Sequence, residues 1–160
     1  MYDVPTLGLN YRMSEIQAAI GRVQMRRIDE NLRRRRDTFD TLAAGLRRLP
    51  NVRVLDAAAG PAQSSHYCLS LVLEGPLAAQ RDDVVKRLNE GGVGTSVYYP
   101  HPVPRMTYYR TKYGYDAARF VNAAEISDRS VALPVGWHID AADVEYIVER
   151  VGSAVMEMTV

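Results

Sequence analysis

Lysine is nearly absent from this sequence: of its 20 basic residues only Lys86 and Lys112 are lysines, and the rest are arginines. Any chemistry that needs a side-chain amine is therefore confined to two positions. Cysteine is scarcer still. Cys68 is the only one, which excludes an internal disulfide and leaves nothing to suggest an oxidising compartment. One thiol with three scattered histidines, His66, His101 and His138, forms no recognisable metal motif, so no metal is expected. No apolar run approaches the roughly 18 residues of a membrane span, and no charged-then-apolar leader opens the chain. The expectation is a soluble, cytoplasmic protein with no membrane partner. Internal repeats and low-complexity segments are also missing.

What is present is ordinary globular usage, 47% apolar and 24% charged, in 160 residues. That length suits one domain with a real core. Net charge is +1, which argues against a nucleic-acid partner, although residues 1–50 hold ten arginines against six acids. After an irregular start containing Pro5 and Gly8, Ser14 and Gln17 have the spacing of a capping box. Ile16, Ala19, Ile20, Val23, Ile28 and Leu32 keep a helical spacing, resumed by Phe39, Leu42, Ala43 and Leu46. The pattern predicts one long helix, bent or straight, from about Ser14 to Leu49, stopped by Pro50. Such a helix spans on the order of 50 Å, more than a small domain covers, so it should project an apolar face.

Strands are predicted at Val52–Leu55, Ser65–Leu73, Val93–Tyr99 and Ser130–Pro134. Helices are predicted at Asp82–Asn89, Ala117–Asp128 and Ala141–Met156, with the proline-rich run after Tyr99 extended. The order predicts an α+β fold, a small sheet with helices on one face. Residues 1–50 form an opening loop and long connecting helix, and residues 51–160 a small α+β domain.

Several motifs have plain readings that outweigh sharper ones. The arginine run Arg33–Arg36 could face nucleic acid, yet Asp29–Arg33, Glu30–Arg34, Arg33–Asp37 and Arg36–Asp40 are all spaced i,i+4. Pairs of that kind lace a solvated helix face, and no aromatic residues interleave to stack bases. Gly91-Gly92-Val93-Gly94 ends a helix and enters a strand, whereas phosphate loops leave a strand and open a helix, so it reads as a helix cap. No nucleophile-elbow glycines frame a serine, which leaves hydrolase chemistry without support. Cys68, inside an apolar strand, reads as a small core residue.

The block GLNYRMSEIQAAIGRVQ, residues 8–24, is different in kind. It resembles the segment that follows the cofactor lysine in the DegT/DnrJ/StrS sugar aminotransferases of surface-polysaccharide and antibiotic pathways. The resemblance continues in order through His66-Tyr67, Val93-Gly94-Thr95, Tyr99-Pro100, Ala123-Ala124-Glu125 and Ala132-Leu133-Pro134. Two departures stand out. Where the family often writes histidine-tyrosine-proline and then proline-leucine-histidine, this chain has Tyr98-Tyr99-Pro100 and Pro102-Val103-Pro104, with His101 between them.

The resemblance implies the C-terminal part, with its small domain, of a fold-type-I aminotransferase (an α/β three-layer family). Pyridoxal phosphate would be the cofactor, with glutamate and a nucleotide-linked keto-sugar as substrates, in a homodimer whose subunits share each active site. It implies that the lysine which forms a Schiff base with the cofactor lies upstream of Gly8, that neither Lys86 nor Lys112 takes that role, and that this segment alone is inactive. Asn10 would reach the cofactor phosphate in the neighbouring subunit, with Arg12 as a second contact, and Tyr99 and His101 would lie on the substrate side. A non-catalytic dimerisation or regulatory module that retains the fold remains the alternative.

Overall fold

The computed structural model describes residues 6, 8–9, 11–56 and 61–159. Helices α1 (Glu15–Met25) and α2 (Ile28–Leu46) lead into strands β1 (Val52–Val54) and β2 (Cys68–Leu73), and then helix α3 (Arg81–Glu90). Helices α4 (Thr107–Tyr113) and α5 (Val121–Arg129) follow, and strand β3 (Ser130–Pro134) and helix α6 (Ala141–Thr159) close the chain. The sheet has the order β1-β2-β3, antiparallel throughout.

Period-two alternation sets which side chains enter the core. Leu69, Leu71 and Leu73 of β2 lie opposite Leu133, Val131 and Val52, and Leu71 also faces Val54. These residues meet Phe39, Leu42, Ala43 and Leu46 of α2, Val84 and Leu88 of α3, and Val144, Ile147, Val151 and Val155 of α6 in one cluster. Val72, on the outward side of β2, is also fully buried, because α5 lies against β2 there. Arg53, between the inward Val52 and Val54, reaches Glu125 of α5 at 3.0 Å. Helices thus cover both faces of the sheet, not one as the element order suggested.

The long helix predicted from Ser14 to Leu49 is two helices. The capping box at Ser14 and Gln17 forms as expected, but the chain turns at Arg26 and Arg27. The pattern contains the reason: Val23 and Ile28 stand five residues apart, so the apolar stripe slips out of register and one straight helix cannot aim both halves at the same surface. α2 buries its second half, whereas α1 buries nothing, leaving Ile16 74% and Ile20 59% exposed.

Other expectations are corrected in detail. β2 begins at Cys68 rather than Ser65, because His66 takes a φ of +46° that breaks the ladder. Val93–Tyr99 is not a strand. Only Ser96 pairs, through two backbone bonds of 3.0 and 2.7 Å with Ala132, so a single bridge stands where a ladder was predicted. The tyrosine-rich stretch between the extended run and the helix predicted from Ala117, to which no element was assigned, forms helix α4, ended by Gly114 at φ +63°. Helix 117–128 is shorter, with a 3₁₀ turn over Ala117–Arg119 ahead of α5. Cys68 is half-buried at the mouth of a cleft.

α2 and α6 approach each other closely at one glycine. A Cβ on Gly45 would lie 2.7 Å from Cγ2 of Val148 and 3.4 Å from its Cβ. Valine is β-branched and cannot swing clear cheaply. Gly45→Ala is therefore expected to lower stability by about 1–2 kcal/mol, the clash outweighing the gain of about 1 kcal/mol in helix propensity. Urea unfolding of Gly45→Ala, Val148→Ala and the double variant checks this. The double variant should lose less than the sum of the two, and strict additivity would remove the close-approach explanation.

Candidate functional site

The segment after α3 is held at both ends and free in the middle. Gly91 and Gly92 cap α3, and the Val93 amide donates to the Leu88 carbonyl at 2.8 Å, which drops Val93 into the core. Ser96 is pinned to β3 by its bridge. Downstream, Pro102 and Pro104 are buried while Val103 between them is exposed, and a 3₁₀ turn over Val103–Arg105 follows. Arg105 then clamps α5 through a bidentate pair, Nη1 to Oδ1 of Asp128 at 2.5 Å and Nη2 to Oδ2 at 2.9 Å. Tyr99 and His101 sit between these anchors, both exposed, with Tyr99 at 69%. His101 also stands close enough for its charge to favour ionised Asp128.

The Tyr98 ring is edge-on to Tyr99 at 5.7 Å and lies 6.3 Å from Tyr67, leading from this loop into a cleft. That cleft, about 260 Å³, is bounded by Arg35 of α2, Tyr67 and Cys68 at the start of β2, residues 94–96, and the turn after β3 with Trp137 and His138. Interaction with the Tyr98 hydroxyl raises the Tyr67 phenol above its ordinary range and keeps it neutral. A Cβ on the buried Gly136 would come within 2.5 Å of His138 Cε1, so glycine there lets the imidazole lie across the turn.

The two residues that sequence reasoning set on the substrate side, Tyr99 and His101, are not in the lining of this cleft, and Arg35 and Trp137, which are, were not named. The one available signal was Trp137 itself, the only tryptophan, just beyond the Leu133-Pro134 strand. Of the two residues assigned to the cofactor phosphate, Asn10 lies outside the described residues. Arg12 is on an exposed stretch just ahead of α1. A carboxamide and a guanidinium are both hydrogen-bond donors, so the pair suits a phosphate chemically.

The His66 ring lies tilted at 58° against that of Phe39, with centres 4.9 Å apart. Lys86 pairs with Glu90 at 3.9 Å on the surface of α3. The Lys112 ammonium donates to the Tyr108 hydroxyl at 2.9 Å and lies 5.3 Å from the ring centres of Tyr108 and Tyr113. Two of the four predicted i,i+4 pairs form, Glu30–Arg34 at 2.6 Å and Arg33–Asp37 at 3.0 Å; Arg33 takes Glu30 in place of Asp29. Among the described residues no helix is long and apolar enough to cross a membrane.

A model of the DegT/DnrJ/EryC1/StrS aminotransferase family matches residues 1–152. The chain belongs to this family. Members use pyridoxal phosphate, and several relatives carry the names of sugar aminotransferases or polysaccharide biosynthesis proteins. The spore coat polysaccharide biosynthesis protein SpsC of Bacillus subtilis is 27% identical over 94% of this chain and 39% of its own length. The GDP-perosamine synthase of Caulobacter vibrioides is 29% identical over 92% of this chain and 38% of its own. Among solved structures, the aminotransferase TlmJ of Streptoalloteichus hindustanus superposes with a TM-score of 0.83 at 25% identity, covering 100% of this chain and 41% of that one. Spr1654 of Streptococcus pneumoniae, in its PLP-form, gives 0.85 at 25% identity over 99% and 40%. The chain thus spans about two-fifths of the family members it matches.

The Arg105–Asp128 clamp has a defined pH signature. Hydrogen bonding by Arg105, opposed by partial burial and aided by the charges of Arg105, Arg81 and His101, holds the Asp128 carboxyl below its ordinary range. The unfolded value is about 3.9. A depressed folded value means that the clamp stabilises above that pH, and that its contribution is lost as pH falls through the folded value. Both side chains are partly solvated, which limits the contribution to about 1 kcal/mol or less. Arg105→Gln should therefore be less stable than the parent at pH 7 and converge with it near the lowest pH at which both fold. A gap that stays constant into the acid range in denaturant titrations would contradict the clamp.

Proposed function

We propose that this chain is the C-terminal part of a pyridoxal-phosphate-dependent aminotransferase that moves an amino group from glutamate to the keto carbon of a nucleotide-linked sugar. The observation that carries this reading is the family match over residues 1–152. Residues 1–50 supply the connecting part and residues 51–160 the small domain, in a homodimer whose subunits share each site. When bound, the cofactor supplies the electron sink that amino transfer requires. Asn10 and Arg12 donate hydrogen bonds to its phosphate. Tyr99 and His101, held out from the fold between the Pro102–Pro104 anchor and the Ser96 bridge, contact the sugar substrate.

The chain by itself is inactive on this reading. A lysine that serves the cofactor needs a desolvated position or a neighbouring cation to make its amine reactive. Lys86 is 72% exposed and paired with Glu90, so its position is not a desolvated one. Lys112 stands on the open surface of α4 against two tyrosine rings.

Two measurements test the proposal. Pyridoxal phosphate mixed with this chain and reduced with borohydride should label Lys86 and Lys112 weakly and without preference. Stoichiometric labelling at one of them, resistant to competing amines, would overturn the assignment. In a longer protein that carries this chain behind a cofactor-binding domain, amino transfer from glutamate to a nucleotide-linked keto-sugar should be measurable. There Asn10→Ala should weaken cofactor retention by about 1.5–3 kcal/mol, the loss of one hydrogen bond to a charged acceptor. Mixed dimers should rescue sites whose Asn10 comes from the intact partner. A longer protein that binds no cofactor and transfers no amino group would instead be a dimerisation or regulatory module.

A further inference from the structure

Several arginines of the chain are answered by carboxylates; Arg35, which lines the cleft, is not. Arg33 and Arg34 bond Glu30 and Asp37, Arg47 bonds Asp56, and Arg53 bonds Glu74 and Glu125. Arg35, on the same helix, turns toward the sheet. Its Nε is closed off from water and has no hydrogen-bond partner, and among the described residues it joins no ion pair. The charge is felt in the cleft, where it opposes the upward shift of the Tyr67 phenol.

The rest of the lining adds no charge of the opposite sign. Among the described residues it contains no aspartate or glutamate; sharing the cleft with Arg35 are Tyr67, Tyr98 and Ser96 with their hydroxyls, the Trp137 indole and the His138 ring. Thr95 is already committed, donating to Asn89 at 3.1 Å. A wall of donors around an unneutralised guanidinium suits an oxyanion, since phosphate and carboxylate both match the guanidinium fork. At about 260 Å³ the cleft holds an anionic group and a few attached atoms, below the usual size of a site for a whole drug-sized ligand. At its mouth Trp137 and Tyr67 stand 61% and 65% exposed, flat surfaces on which a ring attached to that anion would rest.

We propose that this cleft binds a small oxyanion, phosphate or carboxylate, carried on a flat ring, with Arg35 as the charge-bearing contact and Trp137 as the ring platform. The inference stands independently of the aminotransferase reading, because it uses neither the cofactor nor Asn10, Arg12, Tyr99 or His101.

Trp137 is the only tryptophan and Cys68 the only cysteine, so each reports on the cleft without labels. Four probes separate the components: phenyl phosphate and benzoate carry ring and anion, inorganic phosphate the anion alone, and benzyl alcohol the ring alone. Phenyl phosphate or benzoate should give a saturable change in Trp137 emission, inorganic phosphate a weaker one and benzyl alcohol none. Whichever of phenyl phosphate and benzoate binds more tightly identifies the oxyanion. Binding should weaken as salt is raised and should slow Cys68 modification by a thiol reagent in proportion to occupancy. Arg35→Gln should lose about tenfold or more in affinity, and Arg35→Lys part of that, as expected for a charge-assisted fork. Circular dichroism checks that both variants fold, and the Cys68 readout on the unsubstituted chain needs no variant at all. Equal affinity for benzyl alcohol and phenyl phosphate, unchanged affinity in Arg35→Gln, or no saturable response to any probe would each overturn the proposal.

Discussion

Everything in this fold hangs on β2 being paired on both sides. Leu71 lies opposite Val54 on one neighbour and Val131 on the other, and all three are buried. A strand of six residues joined to partners of three and five makes a sheet too small to stand alone. It becomes stable by presenting one unbroken apolar face to α2, α3 and α6. The outward side is closed separately, with α5 over Val72 and Arg53 tied to Glu125. Position along β2 also sets the site. Cys68 and Tyr67, where the ladder gives out, are the residues that open into the cleft.

The preponderance of arginine follows the same economy of space. A guanidinium can bond two acceptors at once, and Arg33 and Arg53 each do so, joining acids on their own helix or on separate elements. Individually these exposed pairs contribute little. Arg35 differs from these paired arginines: its Nε has no partner, and among the described residues it shares its cleft with hydroxyls and aromatic rings and no carboxylate.

Two segments of the chain are built in opposite ways. Helix α1 buries none of its residues, and relatives are more than twice as long as this chain. The segment 96–105 is the converse, anchored by a backbone bridge, two buried prolines and an ion pair so that the residues between are presented outward. Loops held in this way at both ends can carry recognition residues without loosening the core.

The sequence by itself determined whatever depends on neighbours a few residues away. The capping box at Ser14 and Gln17, the glycine cap after α3, the bounds of β3 and the family block at residues 8–24 were all legible, because each is a short pattern with a local cause. The break between Val23 and Ile28 was written there too, but the helical spacing was carried across it, and the Gly114 cap lay in a stretch to which no element was assigned. Only the tertiary structure decided that Val93–Tyr99 contributes one bridge and not a strand, since its alternation is equally compatible with either and the outcome rests on how the segment runs past β3 on each side of Ser96. It alone brought Arg35, Tyr67, Tyr98 and Trp137 around one cleft, because those residues come from four segments whose proximity is fixed by the packing of α2 against the sheet and by no periodicity along the chain.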